Sequence, residues 1–83
     1  MNYTFAVYNI ELDDWGGDDI ADAIGNPSKY ELRLDAHTEE GLVDEVYICL
    51  NDCVLPEFMN DGRRIPKYVH KQFSDLINKH NTR

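Results

Sequence analysis

Apolar and polar positions alternate with a period of two along much of the first fifty residues and recur with a helical period along the last third. Strands are therefore expected early and a helix late. Asn2 to Leu12 is rich in aromatic and β-branched residues, with Tyr3, Phe5 and Val7 on one alternation and Tyr8, Ile10 and Leu12 on the other. This reads as a strand, and the change of phase at Val7-Tyr8 predicts a bulge that absorbs one residue. Tyr30 to Ala36 alternates apolar and charged residues, the pattern of a strand with one wet face. His37 to Gly41 reads as a turn. Leu42 to Leu50 follows as a third strand, with Val46, Ile48 and Leu50 facing one way and Tyr47 and Cys49 the other. Thr38-Glu39-Glu40 also suits the opening of a helical turn, with Thr38 as its cap, but the hairpin is the preferred reading.

Two segments carry helical patterns. Asp18 to Ile24 gathers Ile20, Ala23 and Ile24 on one face, with Gly25 placed to end the helix and Pro27 to prevent its continuation. After Pro66, a favourable first helical residue, Val69, Phe73, Leu76 and Ile77 mark one face of an amphipathic helix of about fifteen residues. Asn51 to Asn60 is either a short edge strand or an irregular apolar flap, since Pro56 cannot sit in a central strand. The expected fold is a single α+β domain over residues 1–83. It has two layers: a small antiparallel sheet of three or four strands, with a short helix and a C-terminal amphipathic helix packed on one face.

A chain of 83 residues covers roughly 60 to 65% of the surface it exposes when unfolded, enough for one modest core. No basic start followed by an apolar run and no apolar stretch of membrane-spanning length is present, so a cytoplasmic protein is expected. Cys49 and Cys53 are too few for a disulfide framework and read as free thiols in packing roles.

Charge changes the picture more than composition does. The net charge is −8, and residues 1–62 hold fifteen acidic side chains against Lys29 and Arg33, a balance of −13. Residues 63–83 hold Arg63, Arg64, Lys67, Lys71, Lys79 and Arg83 against Asp75, a balance of +5. Phosphate contacts need Lys and Arg, so direct binding to nucleic acid or an anionic membrane is disfavoured and a basic protein or nucleoprotein partner is expected. The densest acidic stretch is Asp13-Asp14-Trp15-Gly16-Gly17-Asp18-Asp19. Its glycine pair permits a tight bend from which carboxylates project around the lone tryptophan.

Oxygen-ligand chemistry for Mg²⁺ or Ca²⁺ is the obvious alternative for that stretch. The alternating calcium-loop pattern fails at Trp15 and Gly17, however, so no metal is assigned. The spacing of Cys49 and Cys53 does not match a zinc pair, and neither His37 nor His70 makes a thiol site with them by any recognisable motif. No phosphate-cradling loop, nucleophile elbow or zinc-protease motif occurs. The expectation is a non-enzyme without a cofactor. The helix cations Lys67, Lys71 and Lys79 read as partners for the chain's own acidic surplus rather than for phosphate.

Small size, one domain, no catalytic motif and a dense acidic front together resemble the general class of phage or mobile-element inhibitors of anti-CRISPR and anti-restriction type that imitate DNA. The resemblance is one of composition. It implies stoichiometric blocking of a basic nucleic-acid groove in a host defence complex, with Asp13, Asp14, Trp15, Asp18, Asp19 and Asp22 as the primary contact and Glu39, Glu40, Asp44 and Glu45 as the second. The alternative is an immunity protein or antitoxin that neutralises a basic nuclease toxin.

Overall fold

A computed structural model of the chain describes residues 1–15, 20–50, 52 and 54–81. Its elements are β1 (Asn2–Asn9), β2 (Asp14–Trp15), α1 (Ile20–Gly25), β3 (Tyr30–Thr38), β4 (Gly41–Ile48) and α2 (Lys67–Asn81). The strands form one antiparallel sheet in the order β2-β1-β3-β4. Both helices pack on one face of it, giving the expected two-layer α+β architecture.

Alternation decides which face is buried. Val7, Leu32, Leu34, Ala36, Val46 and Ile48 point to the helices and join Ala23, Ile24, Val69 and Phe73 in one core cluster. Leu32, Leu34, Ile65 and Val69 are fully buried, each contributing roughly 1.5–3 kcal/mol relative to an exposed position. The C-terminal helix begins one residue after the proline expected to open it: Pro66 stands just before Lys67, and its carbonyl accepts the N–H groups of Val69 and His70 at 3.1 and 3.3 Å. From there Val69 and Phe73, four residues apart, enter the core, and Leu76 and Ile77 are half-buried. The Phe73 ring meets Phe5 of β1 at 5.8 Å between centroids, which ties the last element to the first.

Four local expectations are corrected. The first strand ends at Asn9, because the Asn9 side-chain oxygen accepts the N–H of Leu12 at 3.1 Å and Asp13 adopts a positive φ of 53°. These features turn the chain back so that Asp14–Trp15 pair with Tyr8 and Asn9. The fourth strand therefore comes from the acidic stretch and not from Val54 to Met59. No bulge interrupts β1, which pairs with β3 in unbroken register; the irregularity lies between Ala36 and His37 opposite β4. Finally, β3 runs on through Thr38, so the turn is confined to Glu39-Glu40, whose geometry is completed by Gly41 at φ 127°.

Residues 54–65 form the irregular flap. The N–H of Ile65 donates to the Glu57 carbonyl at 2.9 Å and that of Met59 to Arg63 at 2.8 Å, while Leu55, Met59 and Ile65 sink into the core. The flap also reaches the outer edge of β4. The Asn60 amide donates to the Glu45 carbonyl, and the Asp61 N–H donates to the Asp44 carboxylate at 3.0 Å. A free strand edge is a template for unwanted pairing; the first bond occupies one backbone carbonyl of this edge and the second anchors the flap beside it.

Candidate partner-binding face

The sheet face turned away from the helices carries Ala6, Tyr8, Glu31, Arg33, Asp35, Glu45 and Tyr47, placed there by the alternation that buries their neighbours. Trp15 joins them because it pairs directly with Tyr8, and directly paired residues share a face. No helix among the described residues covers this side. Here the aromatic side chains cluster: Tyr8 and Trp15 lie 4.8 Å apart between centroids, and Trp15 and Tyr47 6.4 Å. The small Ala6 side chain leaves room for the indole of the short β2 strand to reach across toward β4.

Arg33 sits under this cluster, its guanidinium carbon 4.1 Å from the Trp15 ring centroid. Its Nε lies 2.6 Å from Asp35 Oδ1, its Nη2 donates to Asp35 Oδ2 at 3.1 Å, and its Nη1 lies 3.0 Å from Glu45 Oε2. Burial works against the charge on Arg33, but hydrogen bonding to Asp35, the fields of Asp35 and Glu45 and a side-chain hydrogen bond with Tyr47 outweigh it and hold its pKa above the ordinary value. Both members of the Arg33–Asp35 pair are largely covered, so the interaction is stronger than a solvated surface pair.

At the other corner of the face, the Tyr8 hydroxyl donates to Asp13 Oδ1. That hydrogen bond, followed by desolvation and the charges of Asp13 and Glu31, raises the Tyr8 pKa. A raised pKa in the folded state contributes stability that is complete below the unfolded value, about 10 for a free phenol, and is lost as pH rises through the folded one. Titration followed by tyrosinate absorbance is therefore expected to show one phenol ionising above the free-phenol value. Asp13→Gly, which keeps the positive φ and removes the carboxylate, is expected to bring that ionisation down.

The residues expected from sequence to make the contact do not all share this face. Asp13 and Trp15 lie on it, Glu45 lies on it within the Arg33 pair, and Glu39 and Glu40 occupy the exposed hairpin tip at the far end of β3. Asp14 pairs with the inward-facing Asn9 and so points to the helix side at the sheet edge. Asp22 belongs to α1 in the helix layer, and Asp44, paired with buried Ala36, is engaged by the flap. Asp18 and Asp19 lie outside the described residues, as do Gly16, Gly17 and Cys53. Sequence reasoning missed Tyr8, Arg33 and Tyr47 as a unit. The available signal was aromatic residues at the wet positions of two strands, where a purely solvating face would carry polar side chains.

Cys49 is exposed rather than packed in the core, because it continues the outward alternation of Tyr47 past the end of β4. Among the described residues no group of His, Cys, Asp and Glu is placed to hold a metal ion, and no helix is long and apolar enough to cross a membrane. No protein-family model matches the chain, and no curated protein or solved structure matches it.

Proposed function

We propose that this protein is a stoichiometric inhibitor that lays its open sheet face into a basic nucleic-acid groove of a host defence complex, in the manner of anti-CRISPR and anti-restriction proteins that imitate DNA. The observation that supports this reading is the charge of the open face. Asp13, Glu31, Asp35, Glu45 and the tip residues Glu39 and Glu40 line or border it, and Arg33 there is already committed to two carboxylates. The cations Arg63, Arg64, Lys67, Lys71 and Lys79 belong to the flap and α2, where Glu57, Asp61 and Asp75 are interspersed with them. Solubility alone requires only net charge and does not require that cations be kept off one face.

Spacing refines the proposal. From Glu31 to Glu39 the strand rises roughly 26 Å, a length over which one strand of a duplex carries about eight phosphates and both strands about fifteen. Six carboxylates approach the single-strand figure and fall well short of the double-strand one. The face is therefore a substitute for one phosphate track in a groove and not for a whole duplex.

The test is capture of the partner by the tagged protein from a host lysate, followed by challenge with excess mixed-sequence DNA. A nucleic-acid-binding complex that DNA releases from the protein is the expected result. A nuclease toxin in its place selects the immunity-protein alternative. A partner without a basic groove, or one that DNA does not displace, overturns both.

A further inference from the structure

We propose that the groove beside the aromatic cluster is an acceptor site for an arginine side chain of the basic partner. The proposal rests on the reading above that the open face meets a basic protein, and adds which cation it selects and where. The groove has a volume of about 430 Å³ and lies at the ends of β3 and β4, where the inward-facing Leu32, Ile48 and Leu50 line it together with the outward-facing Glu31, Tyr47 and Cys49. That volume lies within the range of pockets that take small ligand groups. Glu31 and Tyr47 belong both to the groove and to the open face, so the groove meets that face along these two residues.

The chain itself displays the chemistry. Arg33 is held against the face of an indole, by one hydrogen bond and a close ion-pair contact to Asp35 and by a further ion pair with Glu45. One step along the same face, Glu31 supplies an exposed carboxylate with no ion pair among the described residues, flanked by Tyr47, which is 59% exposed. A planar guanidinium satisfies such a pair of groups at once, lying on the ring and pairing with the carboxylate. A compact, strongly hydrated ammonium gains much less from the ring.

Charge excludes the other occupants. Nucleic-acid bases also stack on exposed aromatic rings, but their phosphates would meet Asp13, Glu31, Glu39 and Glu40, with Arg33 already neutralised. A second copy using the same face would bring the same carboxylates against each other. An arginine-bearing partner matches both the rings and the charge.

The probes are an oligoarginine and an oligolysine peptide of equal length, titrated against the protein while the fluorescence of its one tryptophan is followed. Oligoarginine is expected to bind about tenfold more tightly than oligolysine and to change the Trp15 emission. Glu31→Gln, at an exposed position, is expected to reduce that preference to about twofold or less without shifting the thermal melt, and Tyr47→Ala, which also removes a contact to Trp15, is expected to reduce it likewise while the protein still melts cooperatively. Equal affinity for the two peptides, weakening in parallel as salt rises, overturns the arginine site while leaving the acidic-face reading intact. A protein that binds neither peptide overturns both. A single-stranded oligonucleotide that quenches Trp15 and displaces the peptide assigns the face to nucleic acid instead, and also overturns the proposal.

Discussion

Phe73→Ala is expected to remove about 3–5 kcal/mol of stability, a large share of the roughly 5–15 kcal/mol that separates a folded domain from its unfolded chain. Phe73 is 4% exposed and contacts Phe5 across the layers. Truncation opens a cavity between α2 and the sheet, at the place where the first strand and the last helix hold each other. Neighbouring Val69 is fully buried and cannot move to fill it without leaving its own site. A circular dichroism melt should show a midpoint lowered by many degrees or no cooperative transition at all. A melt matching that of the unaltered protein would show that this face of α2 is not what closes the core.

The second large effect concerns binding. Neutralising the open face with Asp13→Asn, Glu31→Gln, Glu39→Gln and Glu40→Gln together is expected to weaken the captured partner's affinity roughly a hundredfold at low salt. Each exposed charge contact is taken at about 0.7 kcal/mol, and about 1.4 kcal/mol corresponds to tenfold. Asn tolerates the left-handed backbone that Asp13 occupies, and the other three positions are exposed, so the fold should survive. The control is Asp14→Asn with Asp22→Asn, two carboxylates on the helix side, expected to change affinity by less than about threefold, against about tenfold for any two of the four open-face changes. Binding curves at low and high salt distinguish the outcomes. If the control pair also weakens binding about tenfold, the total charge matters and the open face does not.

The large elements were legible because their residues repeat. Tyr30 to Ala36 has only one alternation available, and Val69, Phe73, Leu76 and Ile77 have only one helical face. What escaped depended on single side-chain contacts that no periodicity encodes. The end of β1 is set by the Asn9 oxygen capturing the Leu12 N–H and by Asp13 entering a positive φ. Both residue types are also at home in an ordinary loop. The candidate site was half legible for a similar reason. Charge density is visible in a sequence, and it drew attention to Asp13, Trp15, Glu39, Glu40 and Glu45. The face on which each carboxylate lands depends on register, so Asp14 was grouped with Trp15 although adjacent strand residues point to opposite sides. From alternation alone Arg33 and Tyr47 are only the wet sides of their strands, because their meeting with Trp15 requires three strands to be aligned.

The pairing of β1 with β3 and the meeting of Phe5 with Phe73 also set what the chain needs in order to stay folded. The β3–β4 hairpin needs only local contacts, but a two-stranded hairpin alone is at best marginally stable in water. Its inner face, with Leu32, Leu34, Val46 and Ile48, is covered only when α2 docks. Until then an apolar sheet face is open to other chains, the condition under which partly folded species aggregate.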